Sequence, residues 1–177
     1  MRTFVAIEIP KAIRSEIYSL GTKIPGKLSR VSEDNIHITL QFLGELGDKE
    51  VSLAVDALQK LSAEPFTATI KGVSYFGDQE VRTIYANIID EGMIKKIYLD
   101  TTSLLCDAGL GFESEHGYVP HATIARAKRS NADTMDFIRR NLDYLFGEFR
   151  INSVCIKKSV LSGKGPKYTT LYERKFG

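Results

Sequence analysis

Cysteine and histidine are scarce in this chain of 177 residues, which contains two of the first and three of the second. Structural zinc sites combine four such ligands at close spacing, whereas Cys106 and Cys155 form no CxxC motif and have no neighbouring histidine. We therefore expect no structural metal, and no cofactor is predicted. The two thiols are expected to be buried and reduced, as in a cytoplasmic protein.

Long apolar runs and a strong charge of one sign are also missing. No apolar stretch approaches the roughly 18 residues of a membrane span, and Glu8, Pro10 and Lys11 interrupt the N-terminal segment, unlike a secretory signal. The net charge of +2 is too small to indicate a nucleic-acid partner by itself. We expect one domain over residues 1–177, cytoplasmic and monomeric, with no membrane partner.

Strand-like and helix-like segments alternate along the whole chain. Alternating apolar residues predict strands over 3–9, 36–43, 66–76, 81–89, 121–127, 149–161 and 168–176. Helical spacing predicts helices that begin at residue 11, span 48–61 and 91–106, and follow Ser130, which has Asp133 at capping-box distance.

The order of these segments repeats. The strands that begin at 3 and 81 are separated by about 78 residues, and the helices that begin at 11 and 91, or at 48 and 130, by about 80 and 82. The chain therefore reads as two copies of a β-α-β-α-β unit. Such a unit buries one sheet face under its helices and leaves the other face free. Two copies placed sheet against sheet would make a central cleft, with one wall from each copy.

Two of the three histidines have a threonine two residues later in the chain. The pairs are His37 with Thr39, in NIHITLQFLG, and His121 with Thr123, in VPHATIAR, and the histidines are about 84 residues apart. A single pair of this kind is typical of an ordinary half-exposed sheet. Two pairs among three histidines have odds on the order of one in a hundred, and their equivalent places in the repeat favour function over chance.

The two faces of the motif strands differ in polarity, because alternate residues of a strand share a face. On the first motif strand we expect four apolar residues under the helices and three polar residues on the cleft side, namely Ile36, Ile38, Leu40 and Phe42 against His37, Thr39 and Gln41. On the second, His121 and Thr123 share the cleft face, as Phe4 does on the opening strand.

Two imidazoles that face each other across a cleft form an acid–base pair, since each titrates near neutral pH. One takes a proton from water while the other gives a proton to a leaving oxygen. The threonine hydroxyls and a nearby cation hold an anionic group between them. Because in-line attack at phosphorus needs this geometry and no metal, the pattern favours metal-independent cleavage of a phosphodiester.

The sequence resembles a known family at several places. The tetrapeptides HITL (37–40) and HATI (121–124), one in each half of the chain, resemble the paired HxTx motifs of the two-histidine phosphoesterase superfamily. The segments RTFVAIEIP, QFLGEL, VPHATIAR and KSVLSGKGPKYTTLYE are similar to its bacterial and archaeal branch. That branch is the 2′-5′ RNA ligase, or RNA 2′,3′-cyclic phosphodiesterase, family.

The resemblance implies an α+β fold of two lobes related by a pseudo-twofold axis, with mainly antiparallel sheets that face each other across a central cleft and with helices outside. It also implies an RNA partner that ends in a 2′,3′-cyclic phosphate, such as a tRNA half. The expected reaction is hydrolysis to a 2′-phosphate, with weak and reversible 2′-5′ ligation. By matching positions, His37 is the proton donor to the O3′ leaving group and His121 the acceptor that activates water. Arg126 matches a phosphate-binding arginine and Phe4 an aromatic residue against the terminal base.

Strict alternation places Arg126 on the face opposite His121, so it needs a bulge or a strand end to reach the cleft. The alternative to a base contact for Phe4 is ordinary packing between the lobes. His116 lies in a loop beside Glu113 and Glu115 and is expected to be solvated.

Two further groups of residues have weaker claims on the cleft. One is a basic rim for an RNA backbone, for which a solvated face is the alternative, formed by Arg126, Lys128, Arg129, Lys157, Lys158, Lys164 and Lys167. The other is a set of strand aromatics that offers stacking or, more often, packs in the core, namely Tyr75, Phe76 and Tyr85.

Two other functions remain open from the sequence. The same chemistry also acts on small cyclic nucleotides or ADP-ribose cyclic phosphate. A non-catalytic module that binds RNA ends is the other alternative, although binding alone does not need two titrating groups.

Overall fold

The computed structural model describes residues 1–112 and 117–177, so His116 and its expected solvated position lie outside the described residues. Its α-helices are α1 (Lys11–Gly21), α2 (Asp48–Gln59), α3 (Met93–Asp107) and α4 (Ala132–Arg140), with a short 3₁₀ helix at Glu33–Asn35. Its strands are β1 (Arg2–Glu8), β2 (Lys27–Arg30), β3 (His37–Glu45), β4 (Phe66–Phe76), β5 (Thr83–Ile89), β6 (His121–Arg129), β7 (Leu145–Ile151), β8 (Ser153–Ser162) and β9 (Gly165–Lys175).

These strands form one curled sheet in which neighbouring strands are antiparallel. The order is β7-β4-β5-β6-β3-β1-β8-β9, and β2 pairs with β6 outside this path. The predicted α+β class is confirmed. We call β1, β3, β8 and β9 the first half of the sheet, and β4, β5, β6 and β7 the second half; each half contains one HxTx strand.

The two copies of the sequence repeat are interleaved in the fold. The strand β4 belongs to the first copy by sequence but pairs with β5 and β7, in the second half. The helix α1, which follows β1, packs on β6 and β7, whereas α3, which follows β5, packs on β3. Each copy therefore contributes elements to both halves, which ties the halves together.

In the part of the chain that the structure describes, one backbone pair joins β3 to β6 at the centre of the sheet, where Ile38 lies opposite Ala122. Both side chains are fully buried and belong to the apolar core under the helices. In an antiparallel pair this register also places His37 opposite Thr123, and Thr39 opposite His121, on the other face. The junction between the halves therefore lies at the two motifs.

The predicted strand over 149–161 is wrong, because the chain changes partners within it. The strand β7 pairs with β4 at one end of the sheet, and β8 pairs with β1 near the other end. Only Asn152 separates them. The curl of the sheet brings its two ends together at this residue, which a pattern of alternating apolar residues does not reveal. The strand β2 was not predicted, since three of its four residues are polar.

Two smaller expectations are also corrected. Asn131, not Ser130, caps helix α4: its side chain accepts a hydrogen bond of 3.0 Å from the Thr134 N–H, which completes a capping box one residue later than predicted. Both cysteines are free, but Cys106 is exposed and only Cys155 is buried. In the described part of the chain, no helix has both the length and the apolar character needed to cross a membrane.

We propose that residues 1–177 unfold as one domain, and Ile38→Ala tests this. Because Ile38 is 0% exposed at the junction, the change should lower the free energy of unfolding by about 2–5 kcal/mol, in one transition measured by urea denaturation. Ile89→Ala is the matched control, since Ile89 is 52% exposed and should lose no more than about 0.5 kcal/mol. Two separate transitions in the parent protein would contradict the proposal.

Candidate active site

A cavity of about 590 Å³ opens between the two halves, on the sheet face opposite the helix-covered core. This volume is typical of small-molecule sites. The motif residues and the two residues matched by the resemblance all line it, namely Phe4, His37, Thr39, His121, Thr123 and Arg126. The structure therefore brings together residues that are up to 122 positions apart, from Phe4 to Arg126.

The ring of His37 is held by hydrogen bonds on both nitrogens. Its Nδ1 lies 2.6 Å from the carbonyl oxygen of Asn35, and its Nε2 lies 2.8 Å from the Thr39 hydroxyl. Since a carbonyl oxygen only accepts, Nδ1 carries the hydrogen. In the neutral ring Nε2 is then the basic nitrogen, and in the protonated ring Nε2 donates to Thr39.

The ring of His121 has the equivalent anchor in the second half. Its Nδ1 lies 2.8 Å from the carbonyl oxygen of Val119, two residues earlier in the chain, as Asn35 is for His37. The same argument assigns the Nδ1 hydrogen, so Nε2 is the basic nitrogen of His121 as well. Both rings thus keep the same tautomer, and in both Nε2 is the nitrogen left for proton transfer.

The register at the junction sets the distance between the rings. His37 and His121 lie diagonally across the β3–β6 pair, where Cβ atoms are roughly 7–8 Å apart. That spacing leaves room for one tetrahedral phosphorus group between the side chains. Directly opposite positions, as for His37 and Thr123, are roughly 5 Å apart.

Each histidine ring packs against aromatic rings from its own half. Phe4 and Tyr168 lie 5.0 and 5.4 Å from His37, measured between ring centroids. Phe76 and Tyr85 lie 4.9 and 5.3 Å from His121. These contacts restrict the imidazoles to the orientation that their Nδ1 hydrogen bonds define. Tyr85 is buried, as the alternative for the strand aromatics anticipated, whereas Phe76 lines the cavity.

A bulge in β6 brings Arg126 into the cavity. In the register with β5, Tyr85 lies opposite Thr123 but Ile84 lies opposite Ala125, so Ile124 is the extra residue. The extra residue shifts the alternation by one, and Arg126 shares the face of His121 and lines the cavity. The sequence required a bulge or a strand end for Arg126 to reach the cleft, and the structure has a bulge.

The strand β3 has a bulge at the equivalent place, and here the predicted faces are wrong. Val5 lies opposite Gln41 and Ala6 opposite Thr39, so Leu40 is the extra residue. Gln41 consequently turns to the helix side, where its side chain accepts a hydrogen bond of 3.1 Å from the Thr102 hydroxyl of α3. Phe42 turns to the cavity instead and is 61% exposed.

Phe4 lies at the cavity wall but presents little surface to it. The residue is 4% exposed, because its ring is surrounded by the rings of His37, Tyr168 and Phe42. Phe42 has the larger free ring face for a bound group. The position of Phe4 fits both expectations made for it, a cavity position and packing.

Burial and nearby positive charge lower the pKa of His37 below its ordinary value. Desolvation is the main cause, the hydrogen bond to the Asn35 carbonyl opposes it, and the charges of Lys157 and His121 add to the lowering. Lys157 lies behind the ring, where it donates to Glu8 and Thr170 and is only 12% exposed in its side chain. It is therefore part of the surroundings of His37 and not of the expected basic rim.

The register of β8 and β9 removes two more lysines from the expected rim. Ser159 and Tyr168 face each other and line the cavity. Lys158 and Lys167 are their neighbours in the chain, so they point to the opposite face. Among the described residues, no group of three or more His, Cys, Asp or Glu side chains is arranged to hold a metal ion.

Sequence analysis missed Tyr168 and Phe42 as parts of this cavity. The repeat carries a signal for Phe42, since His37 and Phe42 are spaced like His121 and Arg126. The bulge inferred for Arg126 applies equally to Phe42 by the symmetry of the copies. Tyr168 has no counterpart motif, and only the pairing of β9 with β8 reveals its position.

The ring of His37 should titrate below the ordinary histidine pKa of 6.5 in the free protein, as measured by NMR of its ring protons. Lys157→Met should raise this pKa, because it removes a positive charge near the ring and leaves Glu8 unpaired. Lys158→Met, on the opposite face of the same strand, is the control and should leave the pKa of His37 unchanged. Equal effects of the two variants would contradict the assigned role of Lys157.

Comparisons with known proteins agree with this geometry. The family model described as LigT like phosphoesterase matches residues 7–85. A protein of Methanocaldococcus jannaschii named RNA 2′,3′-cyclic phosphodiesterase is 31% identical over 98% of this chain and 99% of its own length. A protein of Archaeoglobus fulgidus with the same name is 29% identical over 97% and 98%.

Solved structures show the same fold. A crystal structure of a Thermus thermophilus protein has a TM-score of 0.81 and 26% identity, and covers 99% of this chain and 97% of its own. Escherichia coli LigT in complex with 3′-AMP has a TM-score of 0.83 at 21% identity, with the same coverage. With identity of 31% to a named member over nearly its whole length, the chain belongs to the family of LigT-like phosphoesterases.

Proposed function

We propose that this phosphoesterase hydrolyses the 2′,3′-cyclic phosphodiester at the end of an RNA to a 2′-phosphomonoester. The observation that carries the proposal is the pair of imidazoles from two halves of the sheet, which line one cavity with both Nδ1 atoms bound to carbonyl oxygens. The names of the relatives, at about 30% identity over nearly the whole chain, support the substrate.

In the proposed reaction His121 acts as the general base and His37 as the general acid. Nε2 of His121 takes a proton from water, whose oxygen forms a bond to phosphorus. The bond from phosphorus to O3′ breaks on the opposite side, and Nε2 of His37 gives its proton to that oxygen. The product carries a 3′-hydroxyl and a 2′-phosphate, and one proton exchange with solvent returns both rings to their starting states.

The groups around the histidines stabilise the charge on phosphorus. The hydroxyls of Thr39 and Thr123 lie on the cavity face beside the rings, and the Arg126 guanidinium supplies a positive charge. The anionic phosphate also favours the protonated form of His37, which opposes the lowering of its pKa by burial and by Lys157. Binding of substrate thus prepares His37 to act as an acid.

The acid–base pair and Arg126 meet the chemical needs of the reaction, so we propose that it proceeds without metal or cofactor. With a 5′-hydroxyl in place of water, the same groups give weak 2′-5′ ligation: Nε2 of His121 takes the proton of the 5′-hydroxyl, and Nε2 of His37 gives its proton to O3′. The histidine roles exchange in the reverse step, in which the 3′-hydroxyl attacks phosphorus and the bond from phosphorus to O5′ breaks. We further propose that the enzyme acts as a cytoplasmic monomer and that tRNA-half-like ends are among its substrates.

Replacing either histidine tests the acid–base pair. His37→Ala and His121→Ala should each lower kcat for an RNA that ends in a 2′,3′-cyclic phosphate by about 10²–10⁴-fold, because one proton transfer loses its partner, while the Kd of the 2′-phosphate product changes little. Near-normal turnover by either variant would refute the mechanism. The parent enzyme should keep its rate in a chelator, and its rate should fall at both low and high pH.

The identity of the product separates this proposal from its alternatives. Analysis of the hydrolysed RNA end should show a 2′-phosphate, since O3′ is the leaving group. A 3′-phosphate would reverse the assigned geometry. Stoichiometric RNA binding without hydrolysis at any pH would support the non-catalytic module, and exclusive turnover of cyclic mononucleotides or ADP-ribose cyclic phosphate would support a small-molecule enzyme.

Substitutions at two phenylalanines locate the contact with the terminal base. Phe42→Ala should raise KM by roughly 10- to 100-fold, the value of one stacked base, because Phe42 has the exposed ring face; Phe42→Tyr should preserve KM. Phe4→Leu should lower kcat more than it raises KM, since Phe4 supports the His37 ring. A rise in KM for Phe4→Leu with unchanged kcat would assign the base contact to Phe4.

A further inference from the structure

The open face of β2 and β6 carries two positive charges, those of Lys27 and Arg129, that the proposed chemistry at phosphorus does not use. The strand β2 pairs with the end of β6 beyond the cavity, with Ser29 opposite Arg126 and Lys27 opposite Arg129. Leu28 and Ala127 also face each other and pack against the core. Their neighbours Lys27 and Ser29 therefore lie on the open face, which continues from the cavity.

Lys27 and Arg129 form an unusual pair for a sheet. Like charges directly opposite each other destabilise a strand pair, and both residues are exposed. Within the described residues, no carboxylate oxygen lies within 4.0 Å of the charged nitrogens of Lys27, Arg126 or Arg129. A bound polyanion would neutralise both charges.

The distance between Arg126 and Arg129 is similar to the distance between phosphates along one nucleic-acid strand. Arg126 lines the cavity, and Arg129 follows three residues along β6, with Lys128 as the extra residue of a second bulge. At roughly 3.3 Å per strand residue, Arg126 and Arg129 are about 7–10 Å apart. The spacing suits contacts with the terminal phosphate and with the next phosphates of one strand.

The opposite wall of the cavity has a different character. Four residues of β8 and β9 line it without positive charge, namely Ser159, Leu161, Pro166 and Tyr168. The nearby Lys158 and Lys167 point to the other face of the sheet. Among the described residues, Arg2 is the cation of the first half that lines the cavity, and Glu45 lies opposite it in the register with β3. The wall thus suits bases and sugars better than phosphates.

We infer that the open face of β2 and β6 is a binding track for the RNA backbone immediately before the cyclic end, formed by Arg126, Arg129 and Lys27. The inference rests on the proposed function and deepens it, because it makes the preferred substrate an oligonucleotide and not a mononucleotide. The RNA chain then leaves the cavity over the second half of the sheet, away from the wall formed by β8 and β9.

The test compares two substrates, an RNA oligonucleotide with a 2′,3′-cyclic end and a nucleoside 2′,3′-cyclic phosphate. For Lys27→Gln/Arg129→Gln, the ratio of kcat/KM for the oligonucleotide to that for the mononucleotide should fall about tenfold. The salt dependence of oligonucleotide binding should weaken by about 1.4 in the slope of log K against log salt, as for two lost contacts on a single strand.

Lys158→Gln/Lys167→Gln is the matched control, with the same charge change on the opposite face, and should leave the ratio and the slope as in the parent. An unchanged ratio in Lys27→Gln/Arg129→Gln would overturn the track, as would an equal loss on both substrates. A selective loss for oligonucleotides in Arg2→Gln alone would overturn it too, because the strand would then leave over the first half.

Failure of the binding track and failure of the proposed function give different results. If the parent enzyme hydrolyses neither substrate, the proposed function fails, and the track is then tested by the binding of an RNA that ends in a 2′-phosphate. If the parent hydrolyses both substrates and the double variant matches it, the function stands and the track fails.

Discussion

The pairing of Ile38 with Ala122 is the contact on which the site depends. It is the backbone pair that joins β3 to β6, and each partner is flanked by residues of an HxTx motif. Because these neighbours point to the face opposite the buried core, one apolar junction sets the position of both histidines and both threonines. The site is thus built where the two halves of the sheet meet.

The histidines differ in their surroundings although their anchors are equivalent. Each donates its Nδ1 hydrogen to the carbonyl oxygen two residues earlier, so the tautomers are the same. Lys157, held by Glu8, lies close to His37 and lowers its pKa together with burial. A symmetrical fold thereby provides two histidines with different surroundings. The lowered pKa disfavours the protonated form of His37 in the free protein, so the proposed acid role depends on the bound phosphate, whose negative charge favours that form.

Much of the fold and of the site was predictable because the sequence repeats. Strand alternation, helix spacing and the two HxTx motifs are local signals, and they led to the α+β class and to the residues that line the cavity. A conflict between the expected role of Arg126 and its face led to the condition that a bulge or a strand end turns it inward, and the structure has a bulge there. The equivalent bulge at Leu40 was not inferred, so Gln41 and Phe42 were placed on the wrong faces.

The remaining features depend on pairing between segments that are distant in sequence. No local pattern shows that β7 and β8 part at Asn152, that β4 of the first copy lies in the second half, or that Lys157 reaches His37. The short polar strand β2 is a similar case, since its position beside β6 defines the proposed RNA track. In each example tertiary register, and not residue preference, determines what a side chain contacts.

The central claim, that both imidazoles act on a single phosphorus atom, is tested most directly by a crystal structure of the protein with a bound nucleoside 2′-phosphate. The account predicts that Nε2 of His37 and Nε2 of His121 lie within about 2.6–3.2 Å of different oxygens around one phosphorus. A phosphate held by one ring alone, with the other ring turned away or blocked, would contradict it.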